Sequence, residues 1–178
     1  IDSIEKFQSN IDFFTLIKSQ TEGNKSKVKI NDPIKADVLK GGLDSIDLKK
    51  YDVVIASNII NEFPSLKHQT KFAEAVVSEL KKKASFVLVE TAFLKDTRSL
   101  KKIQYALSKD PNVYVISPCG KISGFTDRCT NCHSYRRESL NIPDTMKLFL
   151  HKMDNSDENE KLKWSYAIFS KQSLANQF

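Results

Sequence analysis

Two short apolar runs, separated by a helical pattern, constrain the fold of this chain most strongly. The runs lie at residues 51–57 and 85–90. Neither shows the alternation of a half-exposed strand, and unbroken apolar runs of this length are typical of strands in a parallel sheet. Between them, residues 65–83 place apolar side chains at helical spacing. A strand, a helix and a strand in this order predict an α/β fold with a parallel sheet.

The same alternation continues on both sides of these runs. Helical spacing of apolar side chains predicts helices over residues 3–19 and 96–108. Residues 112–117 and 164–170 are predicted strands, and only a short helix over 144–152 lies between them. Because that helix is too short to cross a sheet, we expect these two strands to pair antiparallel. The predicted sheet is therefore mostly parallel, with a C-terminal antiparallel hairpin.

The size and the cysteine content of the chain limit the class of protein. A length of 178 residues suits one domain, which we place at 1–178. No apolar run approaches the ~20 residues of a membrane span, and no secretory leader is evident. The three cysteines lie close together, whereas a secreted disulfide framework needs an even number. We therefore expect an intracellular protein of a reducing compartment, without a membrane partner.

Polar side chains lie at three predicted strand ends, where open α/β sheets bind their ligands. Asp2 follows Ile1, and its carboxylate is placed to accept hydrogen bonds from the hydroxyls of a ribose. Asp37 and Val38 follow the next strand piece, where a carboxylate can accept from an adenine amino group. Asn58 ends the strand at 51–57. Aspartate after a strand is also a common turn residue, so a nucleotide site and a set of ordinary turns both remain open.

Residues 51–63, Tyr-Asp-Val-Val-Ile-Ala-Ser-Asn-Ile-Ile-Asn-Glu-Phe, resemble the fourth strand of class I S-adenosylmethionine-dependent methyltransferases. Residues 85–91, Ser-Phe-Val-Leu-Val-Glu-Thr, resemble the fifth strand of that family. The resemblance implies a Rossmann-like sheet and S-adenosylmethionine as the cofactor, held by the strand-end residues Asp2, Asp37, Val38 and Asn58.

One part of the family pattern has no counterpart in these residues. The family's first strand and glycine-rich loop hold the methionine part of the cofactor, and no Gly-x-Gly occurs here. We therefore expect an incomplete domain that binds S-adenosylmethionine weakly by itself. The missing strand would belong to a longer protein or to a complementary chain; otherwise the cofactor site is inactive.

Cys119, Cys129 and Cys132 are the candidate metal ligands, with His133 as the fourth and His151 as the second choice for that position. Thiolates bind zinc and iron–sulfur iron well, and a Cys-x-x-Cys turn brings two sulfurs to one ion. The segment 118–141, which contains these three cysteines, has few apolar residues and can bury only a small core, so we expect a bound metal to stabilise it. Three alternatives remain: structural cysteines without a metal, a redox Cys-x-x-Cys, and a c-type haem attachment sequence.

A second, narrower resemblance runs from the predicted strand at 112–117, through the Cys-rich segment 118–141, to the last predicted strand. A strand, Pro-Cys, a Cys pair, Cys-His-Ser-Tyr-Arg-Arg and a late Lys-Trp-Ser-Tyr-Ala-Ile-Phe-Ser occur in this order. That order is similar to the methyltransferase-like proteins of the mitochondrial small ribosomal subunit and their bacterial relatives. The family's Cys-rich insertion has four cysteines and binds an iron–sulfur cluster in mitochondrial members, whereas this chain has three cysteines. The resemblance implies zinc or an iron–sulfur cluster here.

The same resemblance implies ribosomal RNA or the small ribosomal subunit as the partner, and the mitochondrial matrix or the cytoplasm as the compartment. A net charge of +6 permits such a polyanionic partner. Arg136 and Arg137, beside the cysteines, can bind phosphate with paired hydrogen bonds.

The favoured function is an S-adenosylmethionine-dependent methyltransferase, or a methyltransferase-like factor, acting on or bound to ribosomal RNA. The alternative is a non-catalytic ribonucleoprotein assembly protein that uses the fold as a scaffold. A methyltransferase for small molecules or protein side chains is a more distant alternative. Methyl transfer depends mainly on proximity and alignment, so the sequence indicates no catalytic residue.

Overall fold

The structure is a computed structural model. It describes residues 2–22, 29, 31–44, 46–119, 127–131, 135–139 and 161–172. The chain divides into two compact units, Ile1–Asp47 and Leu48–Phe178, and each is described by itself. Within the described residues, no helix combines the length and the apolar character that crossing a bilayer requires. The predicted helix at 144–152 lies outside the described residues.

The first unit contains a two-stranded parallel sheet and one helix. Strand β1 (Ile4–Glu5) pairs with β2 (Ile34–Lys35), and helix α1 (Gln8–Glu22) follows β1. The prediction that a helix begins at residue 3 is therefore wrong. The Ser3 carbonyl accepts a hydrogen bond from the Ile34 amide at 2.8 Å, and this pairing with a distant strand holds the segment extended. Local spacing carries no information about such a partner.

The second unit is built on a mixed five-stranded sheet with the order β3-β4-β7-β5, and β6 pairs with the first half of β7. β3 and β4 are parallel, whereas β7 runs antiparallel to β4, β5 and β6. Both the parallel pair and the C-terminal antiparallel hairpin are therefore confirmed, and β6 was not foreseen. The elements of this unit are β3 (Val53–Ser57), α2 (Leu66–Glu79), β4 (Ser85–Thr91), α3 (Leu94–Leu107), β5 (Tyr114–Ser117), β6 (Arg136–Ser139) and β7 (Lys161–Ser170).

The core of this unit lies between one face of the sheet and the helices α2 and α3. Phe86 of β4 is fully buried and contacts Phe72 of α2 edge-on and Phe169 of β7 in a stacked arrangement. Alternate residues of β4 and β7 face the helices, which explains why every second residue of β4 is buried. Other buried apolar side chains of this core include Leu88, Val76, Val77, Leu100, Ile103, Leu107 and Ala167.

Strand β3 differs from the expectation of a strand buried on both faces. Val53 is 53% exposed and Ile55 is 65% exposed, while Val54 and Ala56 are half-buried. Among the described strands β3 lies at one edge of this five-stranded sheet, beside β4, and the alternating burial of β4 places α2 and α3 on a single face. The apolar run correctly indicates a parallel strand but overestimates how much of it is buried.

Candidate functional site

The loops that follow β3 and β4 form the best-defined part of the candidate site. Asn58 lies immediately after β3, as predicted, and its φ of 53° is in the left-handed region that asparagine tolerates better than most residues. Its amide donates a hydrogen bond to the Val89 carbonyl of β4 at 2.8 Å. The Asn58 side chain is exposed at the carboxyl edge of the sheet, which is where ligands of such sheets bind.

Two buried side chains fix the turn that follows Asn58. The amide of Ile60 donates to Glu90 Oε1 at 2.8 Å, and the carbonyl of Ile60 accepts from Gln69 Nε2 at 2.9 Å. All three residues are less than a tenth exposed. β4 and α2 therefore hold the same backbone unit from two sides, and the position of the Asn58 turn is determined by the core.

Glu90 itself is an unusual group to find in this core. Burial raises the pKa of the Glu90 carboxyl to about 7, and the nearby carboxylates of Asp96 and Glu62 act in the same direction. The amides of Ile60 and Ile59 oppose this rise. The second oxygen, Oε2, has no hydrogen-bond partner among the described residues. Glu90 can therefore change its protonation state near neutral pH.

Asp37 and Val38 lie in the loop after β2, two and three residues beyond Lys35, as predicted. Asp37 Oδ1 accepts from the Leu39 amide at 3.1 Å, and Oδ2 lies 3.4 Å from Lys6 Nζ. Asp37 thus caps the short 3₁₀ helix that Val38 begins. A carboxylate has about four acceptor sites, so these two contacts leave it able to accept from an amino group as well.

Asp2 does not lie at the end of a strand, and this part of the prediction is wrong. It precedes β1, where it accepts a hydrogen bond from the Asn31 side chain. Asp37 follows β2, so the two carboxylates lie at opposite ends of the parallel pair. Given the pairing of Ile4 with Ile34, they are about 16 Å apart along the strands.

Glu5 is the acidic residue that the sequence analysis missed in this unit. It is the last residue of β1, lies opposite Lys35 and is half-buried. The neighbouring Lys6 binds Asp37, so the Glu5 backbone and Asp37 lie at the same end of the pair. The sequence shows an acidic residue at position 5, but the prediction of a helix from residue 3 placed it inside that helix and not at the end of a strand.

A polar and aromatic group lies between the last residue of β5 and the middle of β7. The Ser117 hydroxyl donates to the Tyr166 hydroxyl at 3.2 Å, and Trp164 packs against Tyr166 with ring centroids 5.3 Å apart. Hydrogen bonds from Ser117 and Arg136 lower the pKa of the Tyr166 phenol because they stabilise its anion.

The structure covers only part of the predicted metal site. Cys119, after β5, and Cys129, in a 3₁₀ helix at Asp127–Asn131, are both half-buried. Cys119 Sγ lies 3.8 Å from Nζ of Lys101, which is 2% exposed. Cys132, His133 and His151 lie outside the described residues. Within the part of the chain that is described, no three residues of the metal-binding types form a cluster.

Comparison with known proteins gives matches among solved structures only. No family model and no curated protein matches the chain. The plantazolicin methyltransferase BpumL in complex with SAH is 10% identical with a TM-score of 0.47, over 96% of this chain and 66% of that one. A SAM-dependent methyltransferase from Methanosarcina mazei is 16% identical with a TM-score of 0.47, over 94% and 79%. A protein from Pyrococcus horikoshii is 14% identical with a TM-score of 0.45, over 97% and 71%.

Proposed function

We propose that the chain is part of an S-adenosylmethionine-dependent methyltransferase. The observation that carries the proposal is the strand arrangement of the second unit. Parallel β3 and β4 are followed by a hairpin whose last strand, β7, lies between β4 and β5. This arrangement agrees with the antiparallel hairpin expected from the short segment between the last two predicted strands. The polar loops after β3 and β4 lie at the edge where such sheets bind ligands.

The residues at the strand ends have the chemistry that the cofactor requires. Glu5 offers acceptors for the two ribose hydroxyls, and takes the role first assigned to Asp2. Asp37 offers an acceptor for the adenine amino group, next to the half-buried Val38. S-adenosylmethionine supplies the electrophilic methyl group, and the chain binds and orients the cofactor and the nucleophile. Asn58, on its fixed turn, is placed to contact a ligand at the carboxyl edge of the second unit's own sheet.

A binding measurement with matched variants tests the cofactor residues. We expect Glu5→Gln to weaken S-adenosylmethionine binding about tenfold, because a hydrogen bond to a charged acceptor is lost. Asp12→Asn changes an exposed carboxylate of α1 by the same chemistry and should leave binding unchanged. Isothermal calorimetry on the two variants and the wild type decides. Equal affinities for all three proteins would remove Glu5 from the site.

Ribosomal RNA remains our proposed substrate or partner. The net charge of +6 supports an anionic partner, and Lys82 and Lys83 after α2 are exposed. Lys101 is buried against the Cys119 thiol and so cannot contribute to an RNA-binding surface. We expect RNA affinity to fall steeply between low and moderate salt, as phosphate contacts release counterions. Filter binding over a salt series measures this, and affinity that is independent of salt would contradict the proposal.

Metal binding by the cysteines also remains a proposal. It is supported by the residue types, since thiolates are common zinc ligands, and Cys119 and Cys129 are both half-buried. We expect Cys129→Ser to release the bound metal and to raise protease sensitivity near Arg128, with the main sheet unaffected. Elemental analysis with limited proteolysis measures both effects. Visible absorption would indicate an iron–sulfur cluster and its absence zinc, whereas a metal-free protein that resists proteolysis would refute the site.

A further inference from the structure

We propose that Trp164, Tyr166 and Arg136 form a subsite for a nucleotide, with the base stacked on Trp164 and the phosphate bound by Arg136. This inference rests on the proposed function, because it names the class of substrate that the methyltransferase would act on. The relevant chemistry is a flat base next to a phosphate. A free nucleotide and a single-stranded RNA both have a base next to a phosphate. They differ in how tightly they would bind relative to each other.

Register places the three side chains on one face of the sheet. Arg136 of β6 lies directly opposite Trp164 of β7, and directly opposed residues of antiparallel strands point to the same face. Tyr166 is two residues further along β7, so it shares that face. The residues of β7 that alternate with these two aromatic residues, Ser165 and Ala167, are buried on the helix side. The proposed subsite therefore faces away from α2 and α3.

Exposure and contacts suit this group to stacking and to anion binding. Trp164 and Tyr166 are half-buried and lie against each other at 45°, so their rings are already held in position. The Arg136 side chain is exposed and donates a hydrogen bond to the Tyr166 hydroxyl. Stacking on aromatic rings is tolerant of base identity, and a guanidinium group binds phosphate with paired hydrogen bonds.

The position of the subsite connects it with the loop at Asn58. β7 is antiparallel to β4, so its first half lies at the carboxyl end of β4, where Thr91 is opposite Trp164. Asn58 follows β3 at the same edge, since β3 and β4 are parallel. Ligands of open α/β sheets bind at this edge. A nucleotide stacked on Trp164 would thus lie on the side of the sheet at which methyl transfer is proposed.

Trp164 is the one tryptophan of the chain, so its fluorescence reports on this subsite alone. The probes are uridine 5′-monophosphate, uridine and a six-nucleotide oligouridylate, added to the full-length protein; uracil avoids competition with the adenine of the cofactor. We expect saturable quenching by the monophosphate and weaker quenching by uridine. Tighter binding of the oligonucleotide than of the monophosphate would assign the site to an RNA strand, and equal binding would assign it to a free nucleotide.

Matched variants separate the subsite from general charge. Arg136→Gln should weaken monophosphate binding about tenfold and leave uridine binding unchanged. Arg98→Gln removes the same charge from an exposed position on α3, on the helix side of the sheet, and should have no effect. Absent quenching, or equal loss in both variants, would overturn the subsite. Glu5→Gln should leave quenching unchanged, so failure of the cofactor site and failure of this subsite give different results.

Discussion

Replacing Phe86 with alanine is expected to destabilise the second unit by about 3–5 kcal/mol. Phe86 is fully buried on β4, which lies between β3 and β7, and it contacts the rings of Phe72 and Phe169. Its removal leaves a cavity that two large rings cannot fill without moving, which adds to the lost transfer free energy. Urea denaturation followed by circular dichroism measures the change in the free energy of unfolding.

Phe93 provides the matched control for this substitution. It precedes α3 and is 73% exposed. Phe93→Ala should therefore change the free energy of unfolding by no more than about 0.5 kcal/mol. A loss below about 1 kcal/mol for Phe86→Ala would mean that the packing of β4 against α2 and β7 is wrong.

The buried carboxyl of Glu90 is expected to make the protein less stable as the pH rises through the weakly acidic range. Its pKa is 4.5 in the unfolded chain and about 7 in the folded one, so the folded state holds this proton more tightly. Unfolding between these two values releases a proton, and stability falls from about pH 4.5 to about pH 7. The contribution lost over this window is about 3 kcal/mol. Chemical denaturation at a series of pH values measures it.

The variant Glu90→Gln tests the assignment of this pH dependence. Its amide oxygen can still accept from the Ile60 amide, but it cannot ionise, so the fall in stability between pH 5 and 8 should shrink by about 3 kcal/mol. Glu74→Gln, at an exposed position on α2, should retain the wild-type pH dependence. An unchanged slope in Glu90→Gln would show that another group produces it.

The sequence predicted those parts of the fold that depend on local patterning. β3 and β4 were recognised from their apolar runs, and α2 and α3 from the helical spacing of their apolar residues. These patterns arise because each element packs its apolar side chains against its neighbours. β6 was missed because its residues, Arg-Arg-Glu-Ser, have no apolar pattern, and its strand is held by pairing with β7. The exposure of Ile55 was missed because the spacing of apolar residues does not show whether one or both faces of the sheet are covered by other elements.

The candidate site was predicted less completely than the fold, for a related reason. Asn58 and Asp37 follow strands, as their position in the sequence indicated, and their role in binding stays a prediction. Glu90 was read only as the last residue of a strand. Its hydrogen bond with the Ile60 amide joins residues 30 positions apart in the sequence, so no local pattern shows it. Asp2 was misplaced because the pairing of β1 with β2 shifts the strand end to Glu5. Long-range pairing determines these positions, and no local pattern reports it.

Methyl transfer is the most direct test of the central proposal. The full-length protein is incubated with S-adenosylmethionine carrying a labelled methyl group and with ribosomal RNA, and the label in the RNA is counted against a heat-inactivated control. The account predicts labelled RNA, with the rate reduced about tenfold by Glu5→Gln and unchanged by Asp12→Asn. Label in RNA no higher than in the heat-inactivated control, from protein that binds RNA, would contradict it.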